Sequence, residues 1–275
     1  MKEVKEVSDI ATHHKIMYER IYKVFVALEK EVQSGRIRSY GISSNVLALK
    51  EDDLHFLGYD VLVDMAKLAA EEAESEIHHF TTVELPINLL ETGGLSCAAW
   101  AKAQGLTVLA NRPLNAFKDN LSYRLATYDY PADYDALLNE TVHFLESQNL
   151  EVLVNVLGEL DAFSHRFGWI GEYESFLMTQ ILPAIKNAFN MVETENQEAV
   201  ANALEAFLDV YAKKVAYECS KTTLASIKAL GTNIEAPMQK DALEFLLNNS
   251  NIDCVLIGSR KVNYVQDALS IVDNL

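Results

Sequence analysis

Cysteine is scarce and poorly spaced for joint chemistry. Cys97, Cys219 and Cys254 lie far apart and include no Cys-x-x-Cys pair, which argues against a zinc site and a disulfide framework. Buried apolar thiols are the expectation for all three, and no metal site is expected. Also missing is any apolar run approaching the roughly 20 residues that a membrane-spanning helix needs. The opening segment, "MKEVKEVSDIATHHK", lacks the apolar core of a signal peptide. A cytoplasmic protein with no membrane contact is the expectation. Positive charge is in deficit: 23 Lys and Arg stand against 40 Asp and Glu, for a formal net charge of -17. Such a surface repels nucleic acid at long range, so no nucleic-acid partner is expected. An anionic cofactor would need a locally basic pocket, which makes clustered Arg and Lys informative.

What is present is a chain of 275 residues, 49% hydrophobic, enough for one large domain or two small ones. "IMYERIYKVFVALEKEVQS", residues 16–34, carries Ile21, Val24, Phe25, Leu28 and Val32 at helical spacing, and Gly35 follows as a C-cap. "RIRSYGI" reads as a short strand and "YDVLVDMAKLAAEEAESE" as a helix. "FTTVELPINL" is a strand stopped by Pro86. "GLSCAAWAKAQG" is a short helix, and "LTVLANRPL" a strand stopped by Pro113. Near the C-terminus come a helix, "DALEFLLNNS", a strand, "IDCVLIGS", and a closing helix, "NYVQDALSIVDNL".

The strands are short and nearly all apolar, which predicts a parallel sheet covered on both faces and built of right-handed βαβ units. Residues 115–235 break the alternation. They hold helix-like runs such as "DALLNETVHFLESQNLEVLVNVLGEL" and no convincing strand, and they show neither a fixed repeat nor a low-complexity tract. The expected organisation is α/β: strand-helix units over residues 1–114, a helical insertion over 115–235, and a last unit over 236–275. Four parallel strands make either a small open sheet or half of an eight-stranded barrel.

"SGRIRSYGISSN" resembles the fifth-strand region of the aldo-keto reductases, where "G-K-I-R-x-x-G-x-S-N" is typical. "VELPINLLE" is similar to the sixth strand, "V-Q-x-P-x-N", and "GLTVLANRPLNAF" to the seventh, "G-x-x-V-x-A-x-x-P-L". "LIGSRKVNYVQDAL" is similar to the eighth strand and its helix. The order is preserved across most of residues 20–114 and 236–272. The long helical insert resembles that of a subgroup whose seventh strand reads "N-R-P-L".

The resemblance implies a (β/α)8 TIM barrel of which this chain holds about the last four β/α units, with a large helical insertion. It implies NADP or NAD as cofactor and hydride transfer between the nicotinamide and a small carbonyl or alcohol. In the family, tyrosine, lysine, histidine and aspartate from the first four strands handle the proton. This chain begins at about the fourth helix, and those four positions have no counterpart. No catalytic residue is therefore assigned, and the chain alone is expected to be inactive. His13, His14, His78 and His79 match no family motif; the paired histidine before a strand reads as a solvated turn. Tyr18, Tyr22 and Tyr40 read as packing.

Ser43, Ser44 and Asn45 stand at a strand end, where the resemblance implies bonds to the nicotinamide carboxamide, from Ser43 with Ser44 or from Ser44 with Asn45; a side-chain-capped turn is the alternative. Glu84 replaces the family glutamine. Its carboxylate offers only acceptors and places negative charge near the ring, favouring the oxidised form; loss of selection at a dead site is the alternative. Asn111 replaces an aromatic that stacks on the ring in many relatives. Arg112 is expected either to reach the pyrophosphate or to form a structural salt bridge, and Leu114 to line the cofactor groove. Gly258, Ser259, Arg260 and Lys261 stand before a helix, a favourable phosphate site, and relatives hold a 2′-phosphate there. Tyr264 and Ala268 replace an arginine and an asparagine frequent in those relatives, so NADP and NAD both stay open.

Two further classes of function fit less of the sequence. One is a non-catalytic nucleotide-sensing or scaffold protein; the other is an unrelated phosphate-binding barrel enzyme. Half a barrel exposes two sheet edges, which predicts self-association or a complementing N-terminal half.

Overall fold

The computed structural model describes residues 7–118, 120–191, 196–229, 231–232, 234, 237–259 and 262–272. The chain divides into two compact units, Met1–Pro113 with Ala242–Leu275, and Leu114–Asp241.

In the first unit α1 (Val7–Gln33) starts nine residues before the apolar periodicity does. Ile21, Phe25, Leu28 and Val32 face the core as expected, whereas Val24 is 54% exposed. His13 and His14 lie on this helix. It ends at Gly35, whose positive φ of 74° lets the Gly35 amide reach the Val32 carbonyl and the Arg36 amide the Glu31 carbonyl. Because Arg36 serves that cap, β1 (Tyr40–Ser43) begins later than "RIRSYGI" suggests. Then follow α2 (Leu62–Glu72), β2 (Phe80–Pro86), α3 (Gly94–Ala103) and β3 (Thr107–Asn111).

Four parallel strands pair in the order β1-β2-β3-β6, the last being Cys254–Val255. Strand order thus follows chain order without reversal. Gly41 pairs with Thr82 so closely that a Cβ there would sit 2.4 Å from the Thr82 carbonyl oxygen.

Among the described residues the buried core of this unit lies on one face of the sheet. Tyr40, Phe80, Val83, Leu85, Val108 and Ala110 share one core with Phe25, Ala66, Cys97 and Ala101 from α1, α2 and α3. Gly41, Ser43, Thr82, Glu84, Leu109, Asn111 and Cys254 alternate with them and are exposed or half-buried. Period-2 alternation makes this a one-sided wall. It also corrects the expectation for cysteine: Cys97 and Cys219 are buried, and burial pushes both thiols up to about 12, but Cys254 is exposed.

The second unit holds a hairpin, β4 (Asn115–Lys118) with β5 (Leu121–Arg124), where no strand was expected. Asn120, at φ 62°, supplies the left-handed residue that a short hairpin connection needs. The strands are only four residues each, too short for periodicity to betray. Among the described residues five α-helices follow: α4 (Tyr134–Ser147), α5 (Glu151–Phe163), α6 (Ile170–Phe176), α7 (Leu182–Met191) and α8 (Gln197–Ala229). They bury Tyr134, Leu157, Tyr173, Phe207 and Tyr211 in a separate core. The chain then runs through α9 (Met238–Leu247), whose residues from Ala242 on belong to the first unit, to β6 and α10 (Val262–Val272). Among the described residues no helix is long and apolar enough to cross a membrane.

Candidate functional site

Parallel strands deliver all their C-terminal ends to one rim of the sheet, and in barrels and open α/β sheets that rim is where ligands bind. Here β1 ends at Ser43. Ser44 continues the extended backbone, and its amide donates to the Glu84 carbonyl at 3.0 Å. A turn of 3-10 helix, Asn45–Ala48, follows. Ser44 precedes that turn without a side-chain capping bond, so its hydroxyl is not explained as a cap.

Ser43 sits beside Glu84 in register, and Asn111 ends the next strand opposite Pro86. The Asn111 side-chain amide donates through Nδ2 to Glu84 Oε1 at 2.9 Å. Its Oδ1 is buried without a hydrogen-bond partner. An orphan buried acceptor carries a desolvation cost of about 1–3 kcal/mol unless something meets it, so this atom marks where a donor is wanted.

Behind the rim a loop is held by Asn88, which sequence reasoning passed over as part of a motif. Asn88 is fully buried. Its Oδ1 accepts from the Leu90 and Glu91 amides at 3.0 and 2.9 Å, and its Nδ2 donates to Glu91 Oε2 at 2.8 Å and to the Arg112 carbonyl at 3.2 Å. The glycines that follow let α3 abut the strand ends: a Cβ on Gly94 would lie 2.7 Å from the Pro86 carbonyl oxygen. Arg112 adopts a left-handed φ of 54°, and its Nη2 lies 3.2 Å from Glu91 Oε1. Of its two expected roles, the salt bridge is the one the geometry displays.

Asn45 is exposed in the turn after β1. Gly258 and Ser259 follow β6 by a few residues, the first exposed and the second half-buried. Arg260 and Lys261 lie outside the described residues, as does the side chain of Tyr264. Ala268 is buried on α10. Leu114 begins the second unit, and its carbonyl accepts the Leu125 amide there at 3.0 Å.

Two polar clusters had no sequence signal. At the opposite, N-terminal rim, fully buried Glu29 accepts from the Tyr40 hydroxyl at 2.8 Å and the His79 amide at 2.7 Å, and pairs with His79 Nδ1 at 2.8 Å. Burial and Glu29 push the Tyr40 hydroxyl far up, so it keeps its proton at neutral pH and donates it to the hydrogen bond with Glu29. Tyr40 therefore does more than pack, and His79 is not a solvated turn. In the second unit Asp161 Oδ1 accepts from Tyr134 at 2.7 Å and Lys214 Nζ at 2.5 Å, with Lys214 also 4.1 Å from the Tyr134 ring centroid. A shallow hollow near the end of α2, lined by Lys67, Glu71, Ile77 and His78 among others, includes no residue of the rim. Among the described residues no group of three or more His, Cys, Asp or Glu could hold a metal ion.

Fold and site together define a mixed α/β protein with a one-sided parallel sheet whose polar strand ends converge, combined with a mainly helical unit. No known protein family, curated protein or solved structure matches the chain.

Proposed function

We propose that the chain is an aldo-keto reductase-like protein that binds NAD or NADP at the C-terminal rim of its parallel sheet, the first unit being the last four β/α units of a (β/α)8 barrel. The observation that carries this is the convergence of Ser43, Ser44, Glu84 and Asn111 from three successive strands, with a buried acceptor left over. A barrel wall has helices on its outer face and side chains of alternating strand positions on its inner face. Doubly wound sheets carry helices on both faces and reverse their strand order. The one-sided core and the unreversed order favour the first arrangement.

The residues fit the nicotinamide end of such a ligand. Its carboxamide NH2 is a donor suited to Asn111 Oδ1 and to Glu84, and the serine hydroxyls can donate to its carbonyl. The pyrophosphate end is less well served, because Arg112 is paired with Glu91. Bound, the dinucleotide would supply hydride chemistry. The chain's own residues at this rim bind and orient; among the described residues Ser43, Ser44, Glu84 and Asn111 supply no tyrosine, lysine or histidine to move a proton. We therefore expect no turnover of aldehydes or alcohols by the chain alone, since general acid-base groups supply about 10²–10⁴-fold. A small carbonyl or alcohol becomes a substrate only if another polypeptide completes the site.

The partly exposed inner face and the edges at β1 and β6 support such completion, through a second copy or a complementing half. A nucleotide-sensing or scaffold protein is the second reading, favoured by the make-up of the described strand ends, Ser43, Ser44, Glu84 and Asn111, none of which is a tyrosine, lysine or histidine. The free thiols suit a reducing compartment such as the cytoplasm.

Calorimetric titration with NAD+ and NADP+ tests the proposal. Saturable binding is expected, weakened several-fold in Asn111→Ala without loss of fold. Undetectable binding of both at millimolar ligand contradicts it.

A further inference from the structure

We infer that this rim senses the redox state of the dinucleotide, holding the oxidised form in preference to the reduced one. The inference rests on the nicotinamide reading above and adds a direction to it.

Consider what the rim offers. Glu84 is half-buried and stands on the middle of the three converging strands. Asn111 engages one of its oxygens through Nδ2. A neutral amide donor does not cancel the charge of the carboxylate. Asn111 Oδ1 adds a second, buried acceptor. The nearby guanidinium of Arg112 is directed to a different carboxylate, Glu91. Among the described residues, a ring placed between Ser43, Glu84 and Asn111 therefore meets two acceptors and the negative charge of the Glu84 carboxylate.

The oxidised nicotinamide carries a positive charge on its ring. The reduced ring is neutral and has gained two electrons and one proton as hydride. Both forms keep the same carboxamide, pyrophosphate and adenosine, so contacts to those parts bind them alike. The forms differ at the ring, in its charge and at C4, and a carboxylate reads the charge, here in a site screened less than bulk water. A ligand shifts an equilibrium only through its differential affinity; here the differential comes from Glu84. A protein that fills with the oxidised form and empties as it is reduced reports the ratio of the two.

The experiment uses the full chain and four probes: NAD+, NADH, NADP+ and NADPH, with ADP-ribose as a ligand lacking the ring. We expect each oxidised form to bind about tenfold more tightly than its reduced partner, which lowers the potential of the bound couple by about 30 mV for two electrons. Glu84→Gln keeps an acceptor for Asn111 Nδ2 and removes the charge, so the ratio should fall toward one while binding persists. Equal affinity for both forms in the parent chain, or an unchanged preference in Glu84→Gln with an unaltered circular dichroism spectrum, overturns the inference and leaves the binding proposal standing. ADP-ribose binding as tightly as NAD+ places the ring outside the rim and overturns it too. No binding by any probe refutes the binding proposal itself.

Discussion

Glu29 shows how much a single carboxylate can organise. It ties α1 to the start of β1 through Tyr40 and to the start of β2 through His79. Glu29→Ala would strand those donors in the core, and hydrogen bonds to a charged group count for about 1.5–3 kcal/mol each. A loss of roughly 3 kcal/mol or more in urea denaturation is expected; a loss under about 1 kcal/mol would contradict this account of the cluster. Asp161 offers a pH test. Burial opposes its ionisation, but the bonds from Lys214 and Tyr134 outweigh burial and hold its carboxyl below the ordinary 3.8. A depressed folded value means a contribution that is whole above 3.8 and is lost as pH falls through the folded value. Asp161→Asn should therefore destabilise at neutral pH and lose less than the parent on acidification below that point, as urea midpoints across the range will show. Ser43, Ser44, Glu84 and Asn111 stood out in the sequence because the segments around them resemble strand-end motifs of a known family, where each falls on a cofactor-facing position. Glu29 and Asp161 did not, because their roles are recognisable only through partners far away in the chain: Glu29 lies 50 residues from His79 and Asp161 lies 53 from Lys214.

At the scale of elements, apolar runs located all four parallel strands, and apolar periodicity located the helices between them. Their bounds moved where local caps intervened, as at Gly35. Coverage of the sheet was misjudged because Leu109 read as a core residue in an apolar run, although its face of the sheet is also studded with Thr82, Glu84 and Asn111. The β4-β5 hairpin was invisible because two four-residue strands give no usable period. The β1-β2 contact is a point of vulnerability. Gly41→Ala would force a Cβ onto the Thr82 backbone, and overpacking of this kind typically costs about 1–3 kcal/mol. A lowered urea midpoint is the expected outcome, and an unchanged one would mean that β1 does not pair so closely.

For the whole molecule, composition was informative about charge and silent about assembly. A net charge of -17 keeps copies apart at low salt, while the edges of the parallel sheet favour pairing. Screening should tip that balance, because the Debye length shrinks from about 30 Å at 0.01 M salt to about 3 Å at 1 M. Light scattering is expected to show apparent mass rising with salt; a constant monomer mass across that range would contradict pairing through the edges. The central claim concerns the rim itself, and hydrogen–deuterium exchange on the intact chain with and without saturating NAD+ tests it most directly. Concerted protection of residues 43–48, 84–91 and 109–112 is the predicted result. Protection confined to the second unit, or to one of those segments alone, would contradict a shared site at the strand ends.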